Sequence, residues 1–211
     1  MFTLCNVEMV CRCSLRLDRG AVAHGPGILR SVETGIHPGG GVFVAADVHY
    51  LASGSARAAA VVAADAAFSC VAADRIALVP DVEPYRPGRF YLRELPPLHA
   101  VLDGLAEMAL LIIDGYADLA SDGRPGLGSR ASEEFGVPVI GVAKTPFRGA
   151  THAIAVLRGT SARPLYVTAA GMPRADAASL VRQMAGRHRL PDALRRADNL
   201  ARHGLPQPPP R

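Results

Sequence analysis

Apolar and polar positions fall into runs whose lengths and periods predict strands and helices in alternation over residues 41–203. Val42 to Leu51 is an apolar run broken by one acid, Asp47. Ala56 to Ala67 and Cys70 to Val79 follow after short links, and three strands so closely spaced predict an antiparallel meander. The Ala and Arg content of the second run also suits a helix. Pro84-Tyr85-Arg86-Pro87-Gly88 is irregular, because two prolines and a glycine deny it a regular ladder. Arg93 to Met108 reads as a helix, with Leu95, Leu98, Leu102 and Leu105 recurring at helical spacing. Ala109 to Gly115 is a continuous apolar strand ending in an acid, Asp114. A Gly-rich loop and a helix near 128–136 lead to a second buried strand, Val137 to Lys144. Two further strands, about 151–158 and 164–170, precede helices over 175–185 and 191–203.

Strand, helix, strand of this apolar kind implies parallel pairing through a right-handed crossover. By analogy with known folds, a meander leading into such a unit is the α/β layout of the ribonuclease H-like fold, a mixed sheet flanked by helices. Residues 1–40 lack periodicity and end in Pro38-Gly39-Gly40, so they read as a weakly ordered N-terminal extension. Residues 204–211 read as a Pro-rich tail, since proline removes the donors of helix and ladder.

Composition narrows the function classes. Hydrophobic residues make up 49% of the 211, enough for a core and against disorder over the whole length. Lys and Arg number 23 against 19 Asp and Glu, a net charge of +4 that suits a nucleic-acid partner. Lys144 is the only lysine. Cys5, Cys11 and Cys13 with His24 match no familiar zinc spacing. No signal peptide and no apolar run of membrane length are visible, so the cytosol is the expected compartment and no membrane partner is expected.

The acids carry the chemistry. Asp is disfavoured inside a strand and costly to bury unpaired, so Asp47 and Asp114 each ask for a reason. One answer is an acid at a strand end paired with an arginine. Two acids on neighbouring strands point instead to a shared cation, because bare carboxylates that close repel. Hard oxygen ligands suit Mg²⁺ or Mn²⁺, and two such ions about 3.5–4 Å apart can cleave a phosphodiester. There is no Ser-His-Asp set, no phosphate-binding glycine loop and no histidine pair at ligand spacing. His188 and His203 read as solvent-facing.

Six strings, in order over residues 42–202, resemble signatures of the endonuclease V (deoxyinosine 3′-endonuclease) family: Ala45 to Tyr50, Pro84 to Gly88, Phe90 to Pro96, Ile112 to Gly115, Val137 to Lys144 and Arg189 to Asp198. The resemblance implies that Asp47, Glu94 and Asp114 are metal carboxylates and that Asp198 is the fourth acidic position of the centre. Read without it, Glu94 and Asp198 are ordinary solvated helix acids. The resemblance further implies that Lys144 is the active-site lysine and that Tyr85, framed by Pro84, Pro87 and Gly88, is a wedge beside the lesion. Gly115 follows the strand acid on the substrate side. A monomer acting on inosine-containing DNA or RNA is the implied protein.

The loop from Gly115 to Gly128 departs from the family pattern, being longer, more acidic and without its histidine. Ala170-Gly171-Met172 stands where the family has Gly-His. Tyr116 and Ala117 are bulkier than the residues usual there, which predicts a narrower or reshaped base pocket and weaker inosine selectivity. Two other readings stay open on the sequence. One is a divergent paralogue acting on another nucleic-acid structure or a nucleotide-like molecule. The other is a nucleic-acid-binding protein without catalysis.

Overall fold

The computed structural model describes residues 4–5, 41–86, 89–105, 107–122 and 124–205. The segments read as a weakly ordered extension and a Pro-rich tail fall largely outside these, as do Pro87, Gly88, Cys11, Cys13 and His24. Strands β1 (Leu4–Cys5), β2 (Val42–Tyr50), β3 (Ala56–Ala63), β4 (Val71–Val79), β5 (Met108–Asp114), β6 (Val139–Ala143), β7 (Ile154–Val156) and β8 (Leu165–Ala170) form one sheet. Their spatial order is β1-β4-β3-β2-β5-β6-β8-β7. The meander β2-β3-β4 is antiparallel, β2-β5 and β5-β6 are parallel, and β8 runs antiparallel to β6. Leu4 and Cys5 pair with Ala77 and Ile76 of β4, an edge contact that the sequence pattern did not foretell.

Helices α1 (Tyr91–Leu102), α2 (Leu127–Phe135), α3 (Arg174–Gln183) and α4 (Asp192–His203) cover the two faces. Val44, Ala46, Leu111 and Ile113 pack with Leu98, Val101 and Ala131 on the α1/α2 side. Ala45, Leu110 and Ile112 pack with Val181, Leu194, Ala197 and Leu200 on the α3/α4 side. A central strand buried on both faces reads as an unbroken apolar run, which is why β5 and β6 show no alternation. The alanine-rich second run is a strand, with Ala58, Ala59, Ala60 and Val61 fully buried in it. Small side chains there let helices approach the sheet from either side.

Helix α1 differs from its expected span. The leucine spacing continues to Leu105, but the helix ends at Leu102 because Gly104 takes φ 66°, a left-handed conformation that favours glycine. Met108 begins β5 instead. No helix among the described residues is long and apolar enough to cross a membrane. The mixed sheet with helices on both faces is the ribonuclease H-like arrangement expected from the element order.

Candidate active site

The parallel register aligns Ala46 of β2 with Ile113 of β5, which sets Asp47 beside Asp114. Strand alternation turns both acids to the face that Ala45 and Ile112 share with α4. There Asp198 follows Ala197, a fully buried residue of that helix. One carboxylate oxygen from each of Asp47, Asp114 and Asp198 lies within 4.8 Å of the others.

Lys144, just past the end of β6, enters this cluster. Its Nζ donates to Asp114 Oδ2 at 2.5 Å and stands 4.0 Å from Asp198 Oδ1. Arg202, one helical turn beyond Asp198, donates to Asp198 Oδ2 at 3.0 Å. Burial and the adjoining Asp114 carboxylate push the Asp47 carboxyl up to about 7. Burial opposes the charge of Asp198, but the Arg202 hydrogen bond and Lys144 bring its carboxyl below the usual range. Burial works against the Lys144 ammonium, and the bond to Asp114 more than offsets it, holding the lysine charged.

Glu94 reaches the same place from α1. It is buried, at 7% exposure, and lines a narrow cleft with Asp47 and Asp114. Its Oε1 accepts from the Tyr50 hydroxyl at 2.5 Å, and the Arg93 guanidinium lies 3.6 Å over the Tyr50 ring. Burial pushes the Glu94 carboxyl up to about 7, with Asp47 and Asp114 adding to the rise. Glu94 stands beside the three-aspartate cluster rather than within it.

The donor set fits a hard divalent cation. It is all oxygen, it is partly withdrawn from water, and the single ammonium in it already occupies the position of a counter-charge. Asp47, Asp114 and Asp198 would hold such an ion, with Glu94 at its margin.

Several residues that pattern reading did not single out set this geometry. Arg196 grips buried Asp74 of β4 through Nε at 3.0 Å and Nη2 at 2.5 Å, which ties α4 to the sheet two residues before Asp198. Arg158, itself buried, donates to the carbonyls of Met184, Gly186 and His188 and gathers the turn that launches α4. Arg189 donates to the carbonyls of Lys144 and Pro164. An arginine is conspicuous in sequence only when its acceptor is known, and most of these acceptors are backbone carbonyls. His188 and His203 are exposed, as expected.

Beside Asp114 opens a pocket of about 520 Å³. Tyr85, Phe90 and Tyr91 line it from the approach to α1, and Tyr116 and Phe147 from the loops after β5 and β6. Tyr85 is 61% exposed, its ring 6.3 Å from that of Phe90. Gly115 also lines the pocket and takes φ 135°, which only glycine adopts without strain. The expectation that Tyr116 and Ala117 both crowd this pocket is corrected in one half. Ala117 is fully buried beneath the pocket, its N–H donating to Thr168 Oγ1 at 2.7 Å. A Cβ on Gly141 would stand 2.4 Å from the Ala117 nitrogen, so the glycine of β6 makes room for this loop. Tyr116 does form a wall, its hydroxyl donating to the Thr145 carbonyl at 2.7 Å and accepting from the Phe147 N–H at 2.9 Å.

Acids side by side on adjacent parallel strands of this mixed sheet, Asp47 within β2 and Asp114 at the end of β5, define a protein of the ribonuclease H-like class. The endonuclease V family profile matches residues 33–199. Endonuclease V of Streptomyces coelicolor is 35% identical over 196 residues, covering 82% of this chain and 83% of that one. The crystal structure of endonuclease V from Streptomyces avermitilis superposes with a TM-score of 0.65 at 34% identity, over 78% of this chain and 81% of that one. Ciona intestinalis endonuclease V, in complex with a 23mer DNA containing an inosine followed by a ribo-adenosine, shares the fold at TM-score 0.63 and 19% identity, over 76% of this chain and 83% of that one. The chain belongs to the endonuclease V family.

Proposed function

We propose that this protein is a magnesium-dependent endonuclease that cuts a nucleic-acid strand 3′ to a deaminated purine, acting as a monomer in the cytosol. The observation that carries this reading is the convergence of Asp47, Asp114 and Asp198 within 4.8 Å, with Lys144 inserted among them. Family membership supports phosphodiester hydrolysis, and the inosine-containing DNA held by the Ciona relative supports the substrate.

Mg²⁺ or Mn²⁺ bound by these carboxylates would activate water and stabilise the leaving oxygen. Asp47, Asp114 and Asp198, the last reaching in from α4, would hold the ion, and Asp47 and Asp114 would orient water against the scissile phosphorus. Glu94, held by Tyr50, stands ready to accept a proton at Oε2 as the cut proceeds. Lys144 trades its bond to Asp114 for a phosphate oxygen and stabilises the charge that develops there. Attack by water leaves a 5′-phosphate and a 3′-hydroxyl. Tyr85, on its exposed proline-framed loop, fills the gap left when the target base turns outward into the aromatic pocket. Gly115 lines the substrate side, to which the family resemblance also assigns Pro87 and Gly88.

The test is single-turnover cleavage of a strand with one inosine, in Mg²⁺, in Mn²⁺ and in excess chelator, with both product ends mapped. Cleavage in either metal and none in chelator is the expected result. A second reading, a nuclease for another nucleic-acid structure, is favoured by the altered loop after Gly115; it predicts equal cutting of strands with and without inosine.

A further inference from the structure

One wall of the pocket beside Asp114 is a small hairpin. Asp118 and Pro125 form an antiparallel bridge, and the Leu119 N–H donates to the Arg124 carbonyl at 2.8 Å. Asp122 Oδ1 accepts from the Arg124 N–H at 3.1 Å across the tip, an aspartate turn. The base of the hairpin is fixed on several sides. Asp118 lies 3.0 Å from Nε2 of buried His152 and 3.9 Å from Nη1 of Arg174 at the start of α3. A Cβ on Gly149 would stand 2.6 Å from the Leu119 carbonyl oxygen, so the loop after β6 seats directly against it. These contacts fix the base of the hairpin whose other strand carries Arg124.

Arg124 is the one cationic side chain in the pocket lining, and among the described residues its guanidinium enters no ion pair or hydrogen bond. Aromatic rings on the other sides of the pocket suit a planar ligand. A guanidinium fork suits an edge with two adjacent acceptors. A 6-oxo purine presents such an edge at O6 and N7, whereas adenine places an amino donor at position 6, which the donor-only guanidinium cannot satisfy.

We infer that Arg124 reads the O6/N7 edge of a 6-oxo purine turned into this pocket, and so determines specificity by favouring hypoxanthine and guanine alike over adenine. The inference rests on the nucleic-acid reading of the same site.

Equilibrium binding tests it without depending on cleavage. Short single strands, identical except for one central inosine, guanosine or adenosine, are titrated with protein in Ca²⁺ and followed by fluorescence anisotropy. Wild-type protein binds the inosine and guanosine strands about tenfold or more tighter than the adenosine strand. Arg124→Met brings that ratio close to one, and Arg124→Lys, a point charge without a fork, gives an intermediate ratio. Any of three results overturns the inference. Arg124→Met could weaken all three strands equally, which would make the side chain a phosphate contact. Wild-type protein could bind adenosine as tightly as inosine, or reject guanosine as strongly as adenosine. Failure to cut any strand, with the binding ratio intact, would contradict the nuclease reading alone.

Discussion

Lys144 Nζ sits 2.5 Å from Asp114 Oδ2, so the lysine at the end of one parallel strand neutralises the acid at the end of its neighbour. A cation entering the cluster competes with this ammonium for the same oxygen. Lys144→Met therefore separates two roles. Divalent-cation affinity, read by calorimetry, should hold or rise because the competitor is gone. Turnover should fall on the order of 10²–10³-fold, the usual loss when one donor to a developing negative charge is removed. Loss of cation affinity in this variant would mean that Lys144 organises the carboxylates rather than competing for them.

The raised carboxyls set a pH dependence. Asp47 titrates at about 7 in the folded protein against 3.8 for an ordinary aspartate, so the folded state holds a proton that the unfolded chain has released. Metal-free stability should therefore decline as pH rises from about 4 to about 7, and Glu94 acts in the same sense. Asp47→Asn removes this penalty. Its metal-free melting temperature should exceed that of wild type at pH 8, and the gap should close below pH 4. With Mg²⁺ present the order should reverse, because the ion stabilises only the protein that binds it.

Position of the fourth acid depends on a tether outside the carboxylate cluster, the Arg196–Asp74 pair, whose arginine stands two residues before it on α4. The Asp74 side chain is 3% exposed and the Arg196 side chain 40%, so removing either partner has unequal effects. Arg196→Met strands a buried carboxylate and should cost on the order of 3 kcal/mol in chemical denaturation. Asp74→Asn leaves only a half-exposed guanidinium without its charge partner and should cost clearly less. Equal losses would show that the pair acts through packing alone.

Tyr85 is exposed, and stacking by such a ring is nearly indifferent to base identity. Tyr85→Ala should weaken binding of inosine and adenosine strands alike, by about tenfold, and leave their ratio unchanged. A change confined to the inosine strand would move Tyr85 from wedge to base reader.

Much of this architecture is legible along the chain because its determinants are local. The apolar runs of β5 and β6 declare strands buried on both faces, and their short connections leave few pairings open. Asp47 and Asp114 stand out because an acid inside an apolar run needs a partner. Glu94 and Asp198 do not stand out, since a helix acid looks alike whether it faces water or a metal; only the family resemblance marks them. Three-dimensional relations stay hidden for the same reason. Nothing near Tyr50 in sequence announces its bond to Glu94, 44 residues away, nor does Arg196 announce Asp74, 122 residues away. The loop after Gly115 is the instructive case. Side-chain bulk alone suggested that Ala117 would narrow the pocket, but glycines at 126, 128 and 141 let it sink beneath the floor.

The central claim is that the three converging aspartates are the cation centre of a nuclease, and paired cleavage and binding measurements on Asp114→Ala test it most directly. Cleavage of an inosine-containing strand in Mg²⁺ should be abolished, while the variant stays folded and still binds the strand in chelator with affinity within a few-fold of wild type. Wild-type turnover by Asp114→Ala, or cleavage by wild-type protein that continues undiminished in chelator, would contradict it.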